Sequence, residues 1–471
     1  MVFSNIVFIY VFLPIVIIGY FLVRTELKNL FLLLSSLFFY AWGEPLYILI
    51  MIFSIVINYV LAILINKFDK NYTYKKTALT LSILINISIL LYYKYIGFIL
   101  SNLGEIFNIT ISYSSPALPI GISFYTFQSI SYLVDVYRKE SEPQKNIIHL
   151  ALYISFFPQL VAGPIVRYES IAAQLKERKA DITLIAQGSI QFIIGLSKKV
   201  LIANQLALVA DEIFSKSPDT ISTSLSWIGL TAYTLQIFFD FSGYSDMAIG
   251  LGRIFGFQFP INFNYPYISK NITEFWRRWH ITLGSWFRDY VYIPLGGSRK
   301  GTWVYLRNLF VVWFLTGIWH GASWNFIVWG IYFGVIIAVE KFVLGNLLKK
   351  TWLPFQHIYA ILLIMIGWVF FRADNLKYSF EYLKVMFGVN SNNIIDRLSL
   401  YYLHDYGIYF VVGLLLCIPV ANIIKEKIQR MFTKYPIYEV VVVPSAVFLL
   451  FLLSTIFLAN STYNPFIYFR F

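Results

Sequence analysis

Apolar runs separated by short polar punctuation recur from one end of this chain to the other. The first five are residues 6–23, 31–41, 46–65, 78–100 and 119–136. Most approach the roughly 20 residues that a helix needs to cross a bilayer. The polar breaks alternate in charge. Arg24 and Lys28 follow the first run, and the turn Gly43-Glu44-Pro45 after the second has no basic residue. Lys67, Lys70, Lys75 and Lys76 follow the third, residues 101–116 carry no Lys or Arg, and Arg138, Lys139 and Lys145 follow the fifth. Basic loops stay on the cytoplasmic side, so this alternation predicts five spans with the N-terminus outside. The first run has no small-residue cleavage site after it and reads as a span, not a signal peptide.

The sixth run, 149–165, breaks the alternation. Basic residues flank it on both sides, and it contains Pro158, Gly163 and Pro164. Irregular backbone at membrane depth is tolerated only inside protein or beside water, so a re-entrant loop is expected. The run 187–213 is interrupted by Lys198 and Lys199, which read as either a bend at the inner interface or an inward-facing charge, the bend being preferred because lysine can snorkel. The run 224–250 carries Asp240 and Asp246, two carboxylates either capping or pairing helices or facing a polar cavity. Residues 253–307 are rich in Lys and Arg and read as inner. Residues 310–332 cross and return, 358–371 leads out to a longer loop, 410–424 returns, and 440–458 leaves the C-terminal tail outside. Most of the 37 basic residues thus fall on one side.

Composition agrees. The chain of 471 residues is 58% hydrophobic and 13% charged, against about 45–50% and 25% in soluble domains. The net charge of +13 reflects orientation in a lipid bilayer, with no nucleic-acid partner implied. The single cysteine, Cys417, excludes an internal disulfide and a Cys-rich metal site. No nucleotide-binding glycine loop, metal-ligand cluster or nucleophile elbow is present, so no metal is expected.

The candidate chemistry concentrates in residues 271–329, which hold two of the five histidines. At about 100° per residue, Phe275, Trp276, Trp279, Leu283, Trp286, Phe287 and Tyr290 share one arc, and Arg277, Arg278, Thr282, Ser285, Arg288 and Asp289 the other. One amphipathic helix at headgroup level is expected, opened by an Asn271–Glu274 capping pair, with His280 at the edge of its aromatic face. Its arginines suit lipid headgroups or the phosphates of an anionic donor. His320, beside Trp319 and between Gly317 and Gly321, lies in an apolar run. An imidazole, unperturbed pKa near 6.5, suits a general base there; a hydrogen bond to a neighbouring helix fits the periodicity equally well. His149, His357 and His404 sit near run ends and read as interfacial.

These residues carry a resemblance. Phe156-Phe157-Pro158-Gln159-Leu160-Val161-Ala162-Gly163-Pro164-Ile165, the stretch 240–250, the stretch 275–297 with Tyr292-Ile293-Pro294-Leu295-Gly296-Gly297, Trp319-His320-Gly321-Ala322 and Trp368-Val369-Phe370-Phe371-Arg372 resemble the membrane-bound O-acyltransferase family. The match is to its bacterial branch of alginate and peptidoglycan O-acetyltransferase-like proteins, over nearly the whole chain. The resemblance implies an all-α polytopic fold of about 11–13 transmembrane helices, with re-entrant and amphipathic interfacial helices around a central funnel. N-terminal helices over 1–118, a catalytic core over 119–372, and C-terminal helices with a tail over 373–471 follow. It implies His320 as catalytic, His280 as the second family histidine, and Trp276, Arg277, Arg278, Trp279, Trp319, Asp240 and Asp246 as donor-binding or funnel-lining.

The chain ends Phe466-Ile467-Tyr468-Phe469-Arg470-Phe471. A similar ending occurs in that branch and on the small partner protein of teichoic acid D-alanylation. By that resemblance Tyr468 would accept the acyl group and pass it to an extracellular SGNH-type transferase, for delivery to a cell-surface polymer; this reading is preferred to that of an aromatic anchor at the outer interface. The expected activity is O-acetyl transfer in the bacterial cytoplasmic membrane, with both termini outside. Acetyl-CoA would be a co-substrate and no cofactor permanently bound. A D-alanyl transferase drawing on a carrier-protein thioester, and a transporter or flippase using Asp240, Asp246 and His320, are the competing expectations.

Overall fold

The computed structural model of the chain describes residues 2–389, 393–420, 441–461 and 463–467. Every regular element among them is helical. Among the described residues six helices are long and apolar enough to cross a membrane: Ile48–Lys67, Tyr72–Phe107, Ile182–Phe214, Trp324–Leu348, Leu353–Arg372 and Val443–Asn460. Each overlaps an apolar run of the sequence. Large apolar side chains such as Leu22, Leu46, Val343 and Phe448 are exposed, a surface that matches lipid and not water. The described chain packs as two compact units, Met1–Phe192 with Ser245–Pro260, and Ile193–Tyr244 with Ile261–Phe471.

In the first unit the sixth apolar run forms two short helices, Ile147–Ser155 and Phe157–Leu160. The longer rises only about 14 Å, well short of a bilayer core of about 30 Å. Residues 150–166 are all buried, which is the condition irregular backbone needs at depth. Phe157 packs against Phe12 and Phe39 with ring centres 5.4 and 5.5 Å away, and its N–H donates to Ser36 Oγ at 3.2 Å. Asn58 and Asn86 exchange side-chain hydrogen bonds between two of the long helices.

The second unit holds a tight hairpin of Thr302–His320 and Trp324–Val339. Glycine makes it possible. A Cβ on Gly317 would lie 2.3 Å from the Phe326 carbonyl oxygen, and one on Gly330 2.3 Å from that of Trp313. The hairpin therefore turns at His320, as the crossing-and-returning pattern predicts.

Three expectations change. The single amphipathic helix is two, Ile272–Arg278 and Ile281–Phe287. Between them His280 adopts a left-handed conformation, φ 45° and ψ 53°. The break is held by Asn264 N–H donating to the Arg278 carbonyl and Ile281 N–H to that of Asn262, contacts that helical periodicity does not contain. Lys199 is not an interfacial bend residue. It lies in a π-turn, Lys198–Ala203, is 2% exposed, and pairs with Asp240 at 2.6 Å. Gly243 allows this, since a Cβ there would lie 2.7 Å from the Gly195 carbonyl oxygen and 3.2 Å from Lys199 N. Finally, the longer loop after 371 contains a helix, Leu376–Met386, capped by Asn375 and anchored by Tyr382, whose hydroxyl donates to the Ser226 carbonyl.

Candidate active site

His320 is the last residue of its helix and is 5% exposed. Aromatic rings enclose it: Trp319, Trp329 and Phe371 lie with centres 4.9, 5.0 and 5.0 Å from the imidazole. It borders two cavities. The larger, about 590 Å³, is lined by Trp276, Arg277, Trp279, His280, Arg288, Trp313 and Thr316 among others. The smaller, about 10 Å³, has room for about one water. Its walls are Ile237, Phe241, Trp279, Trp329, Trp368, Phe371 and Ile467. Only Trp279 and His320 line both.

His280 stands beside the same large cavity, 2% exposed, with its ring edge-on to Phe241 at 4.7 Å and 6.0 Å from Trp319. Its protonation follows from its neighbours. Asn262 Oδ1 accepts from the Thr282 N–H at 3.3 Å and the Thr282 hydroxyl at 2.9 Å. A backbone N–H only donates, so the amide group facing it is the oxygen. The remaining contact, His280 Nδ1 at 3.1 Å from that oxygen, must then have the imidazole as donor. Nδ1 carries the hydrogen, and Nε2, with no hydrogen-bond partner among the described residues, presents a lone pair. Burial pushes this imidazole down to about 3, so it is neutral near pH 7. An Nε2 without a proton accepts a hydrogen bond and does not donate one.

The helix carrying Trp276 and Arg277 is fixed at its N-terminus. Asn271 Oδ1 accepts from Glu274 N–H at 2.7 Å, the expected cap. Glu340, 4% exposed, adds bonds from the N–H groups of Ile272 and Thr273 at 2.6 and 3.0 Å. Of the arginines, Arg277 and Arg288 line the large cavity, and Arg288 is held by Asp289 at 2.6 Å. Arg278 points to Glu274 at 2.9 Å and lines neither cavity. Trp319 also lines neither, standing between the two imidazoles. Asp240 is paired with Lys199, and Asp246 belongs to the first unit, 3.2 Å from Gln191 Nε2. Tyr468 lies outside the described residues. His357 Nδ1 is 3.2 Å from the Ser269 carbonyl, and His404 pairs with Asp405.

Three contributors were not legible in the sequence: Asn262, Glu340 and Trp329. Asn262 and Glu340 act across 18 and 68 residues of chain, beyond any local pattern. Trp329 looks like one more apolar helix residue, yet its indole N–H has no hydrogen-bond partner among the described residues and its ring flanks His320.

The chain is similar to known proteins over most of its length. The model of the membrane-bound O-acyltransferase family matches residues 38–377. A probable alginate O-acetylase, AlgI, of Azotobacter vinelandii is 42% identical over 402 residues, covering 84% of this chain and 80% of its own. The peptidoglycan O-acetyltransferase of Helicobacter pylori is 38% identical, covering 83% and 80%. The teichoic acid D-alanyltransferase of Bacillus subtilis is 32% identical over 53% of this chain and 66% of its own.

Proposed function

Since this chain belongs to the membrane-bound O-acyltransferase family, we propose that it is an O-acetyltransferase that moves an acetyl group from a cytoplasmic thioester, acetyl-CoA, to a cell-surface polymer such as alginate or peptidoglycan. Its home is the bacterial cytoplasmic membrane, with both termini outside. Support for the acetyl group comes from the relatives of highest coverage, named for O-acetylation of alginate and of peptidoglycan, while the D-alanyl relative aligns over about half the chain. The loop charges support the orientation.

The single observation that carries the mechanism is that His320 borders both a cavity large enough for an acyl thioester and a small one closed by Ile467, the residue before Tyr468. In this reading the thioester occupies the large cavity, with Arg277 and Arg288 suited to its phosphates. His320 takes the proton of the acceptor hydroxyl as its oxygen bonds to the acyl carbon. The carbonyl becomes an oxyanion, for which the Trp329 and Trp276 indoles offer N–H groups without hydrogen-bond partners among the described residues. The C–S bond then breaks, and the imidazolium returns its proton to the thiolate. His280 Nε2 accepts a hydrogen bond from the reacting partners and orients them. Tyr468 is the first acceptor, and an SGNH-type transferase outside receives the acetyl from it.

Incubation of the purified protein with acetyl-labelled acetyl-CoA tests this. The label should reach the protein in the native chain, and His320→Ala should reduce transfer by about 10²–10⁴-fold at unchanged membrane yield. Tyr468→Phe should abolish stable labelling. Undiminished transfer by His320→Ala sinks the base assignment, and labelling by D-alanyl-loaded carrier alone would move the chain to the D-alanyl branch.

A further inference from the structure

The buried ion pair of Lys199 and Asp240 has no place in the chemistry above, yet burying it is costly. Each side chain is 2% exposed, and their charged atoms are 2.6 Å apart. Removing two charges from water is expensive unless their remaining hydrogen-bonding capacity is used. It is used here by the C-terminal segment. Lys199 Nζ donates to the Pro465 carbonyl, and the Ile467 N–H donates to Asp240 Oδ2 at 2.9 Å.

These two main-chain groups are a carbonyl and the N–H two residues further on, met one each by the ammonium and the carboxylate. Side chains complete the seat. Asn204 Nδ2 donates to Asn464 Oδ1 at 3.2 Å, the Tyr463 hydroxyl bonds Asp211, and the Phe466 ring packs 4.8 Å from Tyr244. Phe466 and Ile467 are 6% and 4% exposed.

We propose that Lys199 and Asp240 form a peptide-binding clamp that reads the backbone polarity of residues 465–467 and so holds Ile467 against the small cavity beside His320. The ligand class is an apolar peptide, here the chain's own C-terminal segment, recognised by main-chain groups and by two apolar side chains. Its purpose, to set the residue after Ile467 at the catalytic histidine, rests on the proposed acyl-shuttle reading; its geometry does not.

Reversing the pair separates reading from mere stability. Lys199→Asp with Asp240→Lys keeps two opposite charges together but sets a carboxylate against the Pro465 carbonyl and an ammonium against the Ile467 N–H. The readout is the rate of maleimide labelling of Ile467→Cys in a Cys417→Ala background, in the full-length protein in detergent. With the native pair labelling should be slow. With the reversed pair it should rise by roughly tenfold or more, with the helical circular dichroism retained. The apolar replacement Lys199→Met with Asp240→Leu, which keeps the site packed without charge, should label equally fast. Slow labelling in either folded variant overturns the clamp. Tyr468→Phe on the native pair should stay slow, so a failure of the shuttle, read as acetyl transfer, is distinguishable from a failure of the clamp.

Discussion

At the scale of single residues, the two histidines differ by what holds them. His320 is enclosed by rings, and its place between two cavities defines its use. His280 is oriented by one amide oxygen that has its other acceptor capacity filled by Thr282. Asn262 is therefore a positioning residue. Asn262→Leu removes the acceptor, frees the ring to change tautomer, and should lower transfer roughly tenfold or more. Asn262→Asp retains an acceptor and adds a negative charge, which favours the imidazolium and raises its pKa. Transfer needs the neutral ring, so the acid limb of the pH–rate profile should move to higher pH. In the native protein the depressed His280 pKa of about 3 leaves that limb free of His280 above this value. A purely structural role would make the two variants fail alike with the profile unmoved. Asn262 was hidden in the sequence because its partner lies 18 residues on, whereas His320 was legible because histidine in an apolar run demands a reason.

At the scale of elements, short irregular pieces do what the long helices cannot. Position 280 lies outside ordinary helical geometry, which sets its side chain at an angle that a continuous helix denies. Lys199, Arg288 and Glu340 each begin or lie in a π-turn, a local insertion often found at functional sites. None of these breaks has a Pro or Gly marker at the break itself, so periodicity runs through them. The hairpin that ends at His320 is the opposite case, with its glycines visible in advance. Gly317→Ala should force the Cβ against the Phe326 carbonyl. A cost of about 1–3 kcal/mol is expected, read as a lower melting temperature together with lost transfer. Gly407→Ala, helical with nothing within 4 Å of its Cβ, is the control and should keep or raise stability. Equal melting temperatures for the two would show that the hairpin tolerates separation at Gly317.

At the scale of the whole molecule, the exposed apolar side chains and the loop charges describe one object from two directions. The first marks the surface suited to lipid, the second is the basis of the proposed orientation. Cysteines placed at exposed Ser114 and exposed Tyr72, in a Cys417→Ala background, test the proposed orientation. A membrane-impermeant maleimide added to intact cells should label position 114 and spare position 72 until the membrane is opened. The reverse pattern would invert the chain and place the C-terminal segment on the donor side, which the acyl-shuttle reading does not survive.

What the chain determines by itself is the set of properties that depend on local sums: apolar length, loop charge, the re-entrant character of a Pro- and Gly-bearing run, and the oddity of histidine among leucines and tryptophans. Hydrophobic transfer and charge partition add up residue by residue, so they can be read in order along the sequence. What only the tertiary structure decides is pairing. The Lys199–Asp240 contact, the Asn262 grip on His280, the Glu340 cap and the seat of Ile467 join residues far apart in sequence. Each exists because a buried charge or polar atom must find its partner within hydrogen-bond distance, and that distance is set by packing alone.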